Sequence, residues 1–189
     1  MRIVGGRLRG RALAGPGSDR VRPTSDRLRE TIFNVLAHAY GDPVAGARVL
    51  DLFAGTGAMG LEALSRGGAF ALFVDDSAAA RGLIRQNIEA LGLGGETRLF
   101  RRDATRMGKA APNAPFSLVF CDPPYGKDLA PKALISCAGG GWLSPGALVV
   151  VEEAQGVEVA LPEGFTGLER RDYGETKVVF ARYSASAGS

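Results

Sequence analysis

A single histidine, His38, and two cysteines, Cys121 and Cys137, are all that the 189 residues offer toward metal ligation or thiol chemistry. Two Cys and one His make no metal site. Cys121 sits in an apolar run and Cys137 in a small-residue helical stretch, so both read as buried reduced thiols. His38 falls within a helical pattern and is no evident general base. Long hydrophobic runs are missing too: none approaches the roughly 18 residues of a membrane span. The opening Met1-Arg2-Ile3-Val4-Gly5-Gly6 lacks the apolar region of a signal peptide. These absences predict a cytoplasmic protein with no metal and no membrane association, a monomer by default.

Lysine is absent from the first 30 residues, which hold eight arginines (2, 7, 9, 11, 20, 22, 27 and 29) against Asp19, Asp26 and Glu30. That stretch is net +5, while the whole chain is +3. All the excess positive charge therefore sits at the opening. Arginine is the better residue for forked contacts with phosphates and for stacking on bases. If Gly6 to Leu13 is extended, Arg7, Arg9 and Arg11 share one face. With Arg22 and Arg27 they form a candidate nucleic-acid surface.

The hydrophobic content of 46% suffices for one domain, with or without an appendage. Residues 1–23 read as a basic, Gly-rich hairpin or arm. Thr24 or Ser25 can cap a helix in which Leu28, Ile32, Val35, Leu36 and Ala39 recur at helical spacing. After Gly41-Asp42-Pro43, strands and helices alternate. The pattern is strand to Phe53, helix to Arg66, strand to Val74, helix Ser77 to Leu91, strand Thr97 to Phe100, strand to Cys121, helix Leu129 to Ala138 and strand Ala147 to Glu152. Alternation of this kind predicts a parallel sheet covered on both faces. Two late segments, Gly167 to Tyr173 and Thr176 to Tyr183, are joined through Gly174-Glu175.

Chemistry concentrates where strands end. Asp122-Pro123-Pro124-Tyr125 follows the run Phe116 to Cys121, and neither proline can continue a ladder. At such a corner the Asp122 carboxylate and a backbone carbonyl beside Pro123 can together accept both hydrogens of an exocyclic amino group, while Tyr125 lies over the ring that carries it. Gly55, Gly57 and Gly60 match a Gly-rich turn between strand and helix. In a dinucleotide enzyme such a turn cradles pyrophosphate. Asp51, at its mouth, would repel that group and suits a cation, such as the ammonium of S-adenosylmethionine. Asp75 or Asp76 ends the next strand, where a ribose-binding acid belongs, and Asp75 is favoured as the first. Asp103, after Thr97 to Phe100, is placed to accept from an adenine amino group.

This set resembles the class I S-adenosylmethionine-dependent methyltransferases that act on amino groups. The opening Arg22-Pro23-Thr24-Ser25-Asp26-Arg27-Leu28-Arg29-Glu30-Thr31 narrows the resemblance to the bacterial 16S rRNA guanine-N2 methyltransferase family. It extends from Arg2-Ile3-Val4-Gly5-Gly6 to Tyr173-Gly174-Glu175-Thr176. The resemblance implies an α/β, Rossmann-like fold, a mostly parallel seven-stranded sheet with an antiparallel C-terminal strand and a small N-terminal hairpin and helix. It implies S-adenosylmethionine held by Asp51, Phe53, Gly55, Gly57, Asp75 and Asp103, catalysis at Asp122, Pro123, Pro124 and Tyr125, and a substrate in the small ribosomal subunit or its assembly intermediate. Residues 1–40 would be an RNA-binding extension, 41–183 the methyltransferase domain and 184–189 a disordered tail. Arg102 stands where relatives often have Gly, and Glu175 where Asp is expected. Adenine-N6 methylation of DNA or RNA, a nicotinamide-dependent oxidoreductase and a non-catalytic RNA-binding assembly factor are the rival readings.

Overall fold

Apolar runs that do not alternate belong to strands covered on both faces. The computed structural model describes residues 1–17 and 24–185. In it β1 (Arg48–Leu52), β2 (Phe70–Val74), β3 (Thr97–Phe100), β4 (Phe116–Cys121) and β5 (Leu143–Ala154) pair in parallel. Strands β1, β2, β4 and β5 are of this kind, with the half-exposed β3 at the sheet's edge. The hairpin of β6 (Phe165–Tyr173) and β7 (Thr176–Tyr183) is antiparallel, and β7 inserts beside β5. The order is β3-β2-β1-β4-β5-β7-β6. Chain progression reverses at β1, and in open α/β sheets the crevice at that reversal is where ligands bind. The expected Rossmann-like α/β fold is thus the observed one. Strand β5 exceeds the expected Ala147 to Glu152 at both ends because it also pairs with β4 at Phe116 and with β7 as far as Ala154.

Successive strand residues point to opposite faces, which divides the core in two. Val49, Ala71, Phe73, Leu118 and Phe120 join Ile32 and Leu36 of α1 (Asp26–Ala39), Leu61 and Leu64 of α2 (Ala58–Ser65), and Ile84 of α3 (Ala78–Leu91). Leu50, Leu52, Leu72, Val119 and Cys121 join Ala133, Leu134 and Cys137 of α4 (Leu129–Gly139) and the fully buried Trp142. Among the described residues no helix is long and apolar enough to cross a membrane.

Capping settles which of two hydroxyls starts α1. Ser25 is the N-cap and accepts from the Leu28 backbone N–H at 3.1 Å. Thr24 is thereby free to point elsewhere.

The opening arm packs as part of the first core layer, through Ile3 and Leu13. Arg2 and Ala12 form an antiparallel bridge, and between them residues 5–10 turn rather than extend. Positive φ at Gly6 and Gly10 makes that turn. The alternation that would place Arg7, Arg9 and Arg11 on one face is therefore absent. Arg7 reaches Glu96 at 2.8 Å, and Arg11 donates to the Ala90 carbonyl at 2.7 Å. Arg9 is exposed.

Glu62 of α2 clasps the arm. Its carboxylate accepts from the backbone N–H of Val4 and Gly5, both at 2.9 Å, and from Nε of Arg29 and of Arg66, both at 3.0 Å. Glu62 and Arg29 are both completely buried. Gly6 lies so close to the end of α2 that an added Cβ would meet the Ser65 carbonyl oxygen at 2.0 Å.

Candidate active site

Strand register alone assembles the site. Leu52 pairs with Val74 and with Cys121, Val74 with Phe100, and Cys121 with Val151. One residue further along each strand, Phe53, Asp75, Arg101, Asp122 and Glu152 therefore form a row across the C-terminal edge of the sheet. Asp51 lies two residues behind that row, on its β1 member.

On the β2 side the row opens on a small cavity of about 20 Å³, lined by Phe53, Val74, Asp75, Asp76, Arg102, Asp103 and Ala104. Phe53 holds a left-handed conformation, φ 54°, as the strand breaks into the glycine turn. Gly55 and Gly57 continue it at φ 61° and 80°, and α2 starts directly after. Asp75 locks the turn: one carboxylate oxygen accepts from Gly55 N–H and the other from Ser77 N–H, both at 2.9 Å. Asp76 is exposed beside it. Asp103 accepts from both the N–H and the hydroxyl of Thr105, which hold its carboxyl below the usual carboxylate range. Asp103 thus stays an anionic acceptor.

Asp51 is buried, and its Oδ2 accepts from Gly60 N–H at 3.0 Å. Burial pushes its carboxyl well above the ordinary range, against that hydrogen bond, and the like charges of Asp122 and Asp75 add to the rise. A buried acid whose ionisation two neighbouring acids disfavour makes a site that a cation would relieve. Gly60 is required by close packing, since a Cβ there would stand 2.5 Å from the buried Phe73 ring and 3.2 Å from Asp51 Oδ2.

On the β5 side the row opens on a cleft of about 930 Å³. One wall is the start of α1, with Thr24, Ser25, Arg27, Leu28 and Thr31. The other comprises Asp122, Tyr125, Glu152, Ala154 and the β6–β7 tip from Tyr173 to Thr176. Pro123 is buried and Pro124 exposed; the strand ends at Cys121 and the chain turns at Tyr125 and Gly126, where φ is 74°. Glu153 supports the corner by accepting from Gly126 N–H at 3.1 Å. Tyr125 is 45% exposed, with its hydroxyl 3.0 Å from the Thr176 hydroxyl, which holds the ring at the lip of the cleft. Arg27 is exposed on the α1 wall, whereas Arg22 lies outside the described residues.

Sequence reasoning did not single out Thr24, Glu152 or Glu153. The Thr24 hydroxyl stands 3.3 Å from Asp122 Oδ2 and 3.1 to 3.2 Å from both oxygens of Glu152. Loss of surrounding water raises the Asp122 carboxyl to about 7, the Thr24 hydrogen bond opposing and the Glu153 charge adding to the shift. Glu152 is pushed well above the carboxylate range, first by burial and then by the charge of Asp122. The signal that could have found Glu152 was its place at the end of another apolar run, next to Asp122 once the strands are parallel. Among the described residues no group of three or more His, Cys, Asp or Glu is placed to hold a metal ion.

Similarity to known proteins agrees with this geometry. The chain is 42% identical to ribosomal RNA small subunit methyltransferase D of Escherichia coli K12 over 163 residues, 86% of this chain and 78% of that protein. It is 33% identical to the protein of the same name from Haemophilus influenzae, covering 92% and 89% of the two chains. The solved structure of yhhF from Escherichia coli superposes with a TM-score of 0.82 over 98% of this chain and 99% of that one, at 32% identity. Residues 1–182 match the family described as conserved hypothetical protein 95, and the chain belongs to that family, in which its named relatives are small-subunit rRNA methyltransferases.

Proposed function

We propose that this member of an rRNA methyltransferase family transfers a methyl group from S-adenosylmethionine to the exocyclic N2 amino group of a guanine in 16S rRNA, within the small ribosomal subunit or its assembly intermediate. The observation that carries the reading is the juxtaposition at β4: Asp122 faces the large cleft on one side and neighbours the acid-lined glycine turn on the other.

The residues fit the methyl donor. Asp51, destabilised as an anion by burial and by Asp122 and Asp75, would hold its cationic amino-acid end. Asp75 or Asp76 would hold the ribose and Asp103 the adenine amino group, with Phe53 beside the base and Gly55 and Gly57 allowing close backbone approach. The same acids oppose a pyrophosphate, which argues against a nicotinamide enzyme. When bound, S-adenosylmethionine supplies an electrophilic methyl on a sulfonium.

The chain's own work is to position the base and make its lone pair available, and positioning of this kind is worth on the order of 7–11 kcal/mol. Asp122 and a carbonyl beside Pro123 accept the N2 hydrogens, which draws the lone pair out of the ring and stabilises the charge that develops on nitrogen. Tyr125 stacks on the base. A target taken out of a stack costs about a few kcal/mol. Phosphate contacts by Arg7, Arg9, Arg11, Arg22 and Arg27 offset that, and residues 1–40 then serve as the RNA-binding element of the 41–183 catalytic domain.

Asp122→Ala protein should bind S-adenosylhomocysteine and transfer no methyl to small-subunit particles from a deletion strain; near-normal turnover would remove Asp122 from catalysis. The methylated nucleoside identifies the base. Recovery of N6-methyladenosine would replace the guanine reading with the adenine one, and particle binding without any turnover would mark an assembly factor.

A further inference from the structure

Thr24 carries one hydroxyl hydrogen, yet its oxygen lies within hydrogen-bond reach of two different carboxyl groups, Asp122 Oδ2 at 3.3 Å and Glu152 at 3.1 Å. A hydroxyl donates once. A proton on one carboxyl would satisfy the second contact, so the pair is poised to share a hydrogen across Thr24. Burial raises both acids in the same direction. Both groups line the cleft rather than a closed core, and Glu152 does so with 4% of its surface exposed. A buried acceptor at the wall of a binding cleft, bridged to the catalytic carboxyl only by a hydroxyl, awaits a hydrogen-bond donor from the ligand.

Guanine presents two donors side by side, N2–H and N1–H. Adenine presents its amino group beside N1, which is an acceptor. Resting on the guanine-N2 reading, we propose that Glu152 is the specificity-determining residue of the base pocket, accepting N1–H of the target guanine while Asp122 accepts from N2. The β4–β5 register, with Cys121 beside Val151, places the two acids next to each other for this purpose. Two donors from the base favour the charged forms of both carboxyls, so guanine entry displaces the Thr24 hydrogen bonds and any proton held on the pair passes to solvent at the mouth of the cleft. A base with an acceptor at N1 leaves Glu152 buried without a partner.

2-Aminopurine separates the amino group from N1–H, because it keeps the first and lacks the second. Small-subunit particles reconstituted with guanine, 2-aminopurine or adenine at the mapped target should give wild-type kcat/KM for guanine at least about 100-fold above that for 2-aminopurine. A site built around a hydrogen bond rejects an analogue that lacks it by such factors or more. Glu152→Gln, whose amide offers both a donor and an acceptor, should bring the ratio below about 10. A wild-type ratio near one overturns the proposal even if the variant fails to fold. A Glu152→Gln ratio equal to that of the wild type overturns it too. Either result leaves guanine methylation standing, whereas methylation of the adenine particle alone would refute the guanine-N2 reading itself.

Discussion

Replacing Glu62 with Ala should unhinge the arm from the sheet. The carboxylate holds the N–H groups of Val4 and Gly5 and the guanidinium groups of Arg29 and Arg66, and its removal strands them unequally. The two N–H groups can find water once the arm loosens. Arg29 cannot do so in place, being completely buried, and it keeps only Asp26 at 2.8 Å as a charged partner, with the carbonyls of Arg2 and Thr24. Removing one member of a buried ion pair is destabilising by about 3–5 kcal/mol. At about 2–4 °C per kcal/mol for a chain of this size, the melting temperature should fall by roughly 6–20 °C. Circular dichroism on heating measures it. Trp142, the single tryptophan and fully buried, reports urea unfolding independently. Converting Arg29 to Met in the same protein should return part of the stability, because the stranded charge is removed with its partner. A melting temperature within about 3 °C of wild type, or strict additivity of the two substitutions, would show that the arm is not held by this carboxylate.

Further outcomes follow from other parts of the molecule. Gly6→Ala should destabilise by at least about 1–3 kcal/mol in urea titration, since a Cβ would lie 2.0 Å from the Ser65 carbonyl at φ 77°, and the backbone must shift. In the folded chain Asp122 holds its proton up to about 7, against 3.8 ordinarily, so its contribution to stability is greatest below about pH 4 and is lost as pH rises to about 7. Asp122→Asn should accordingly flatten the decline of the urea midpoint across that window, and an unaltered slope would assign it to other groups. Neutralising Arg7, Arg9 and Arg11 together should weaken particle binding and lower the slope of log affinity against log salt by about 0.7–0.9 for each phosphate that is no longer neutralised. The Arg7–Glu96 pair is no obstacle, because exposed ion pairs are worth about 0–1 kcal/mol. An unchanged slope would move the RNA surface away from the arm.

What the sequence disclosed and what it withheld divide along a physical line. Periodicity and breakers act locally, which is why Ser77, Leu91 and the strand ending at Cys121 stand where the pattern placed them. The glycine turn and the Asp-Pro-Pro-Tyr corner were legible for the same reason, each being a short segment whose backbone has few options. Glu152 was not, because Val149-Val150-Val151-Glu152-Glu153 carries no local mark that distinguishes a pocket acid from a solvated strand end. Only the pairing of β5 with β4, more than 20 residues earlier in sequence, brings it to Asp122. Thr24 is a sharper case. Two adjacent hydroxyls can both cap a helix, and the backbone alone does not say which one does. Once Ser25 takes the cap, Thr24 is directed by the entry of α1 onto the sheet, 98 residues from Asp122 and 128 from Glu152. The conversion of a spare cap residue into the hydroxyl between two acids of the cleft is therefore a property of tertiary docking. It also explains why the first helix belongs to the site: α1 supplies one wall of the cleft, and the residue before its cap sets the proton balance of the other.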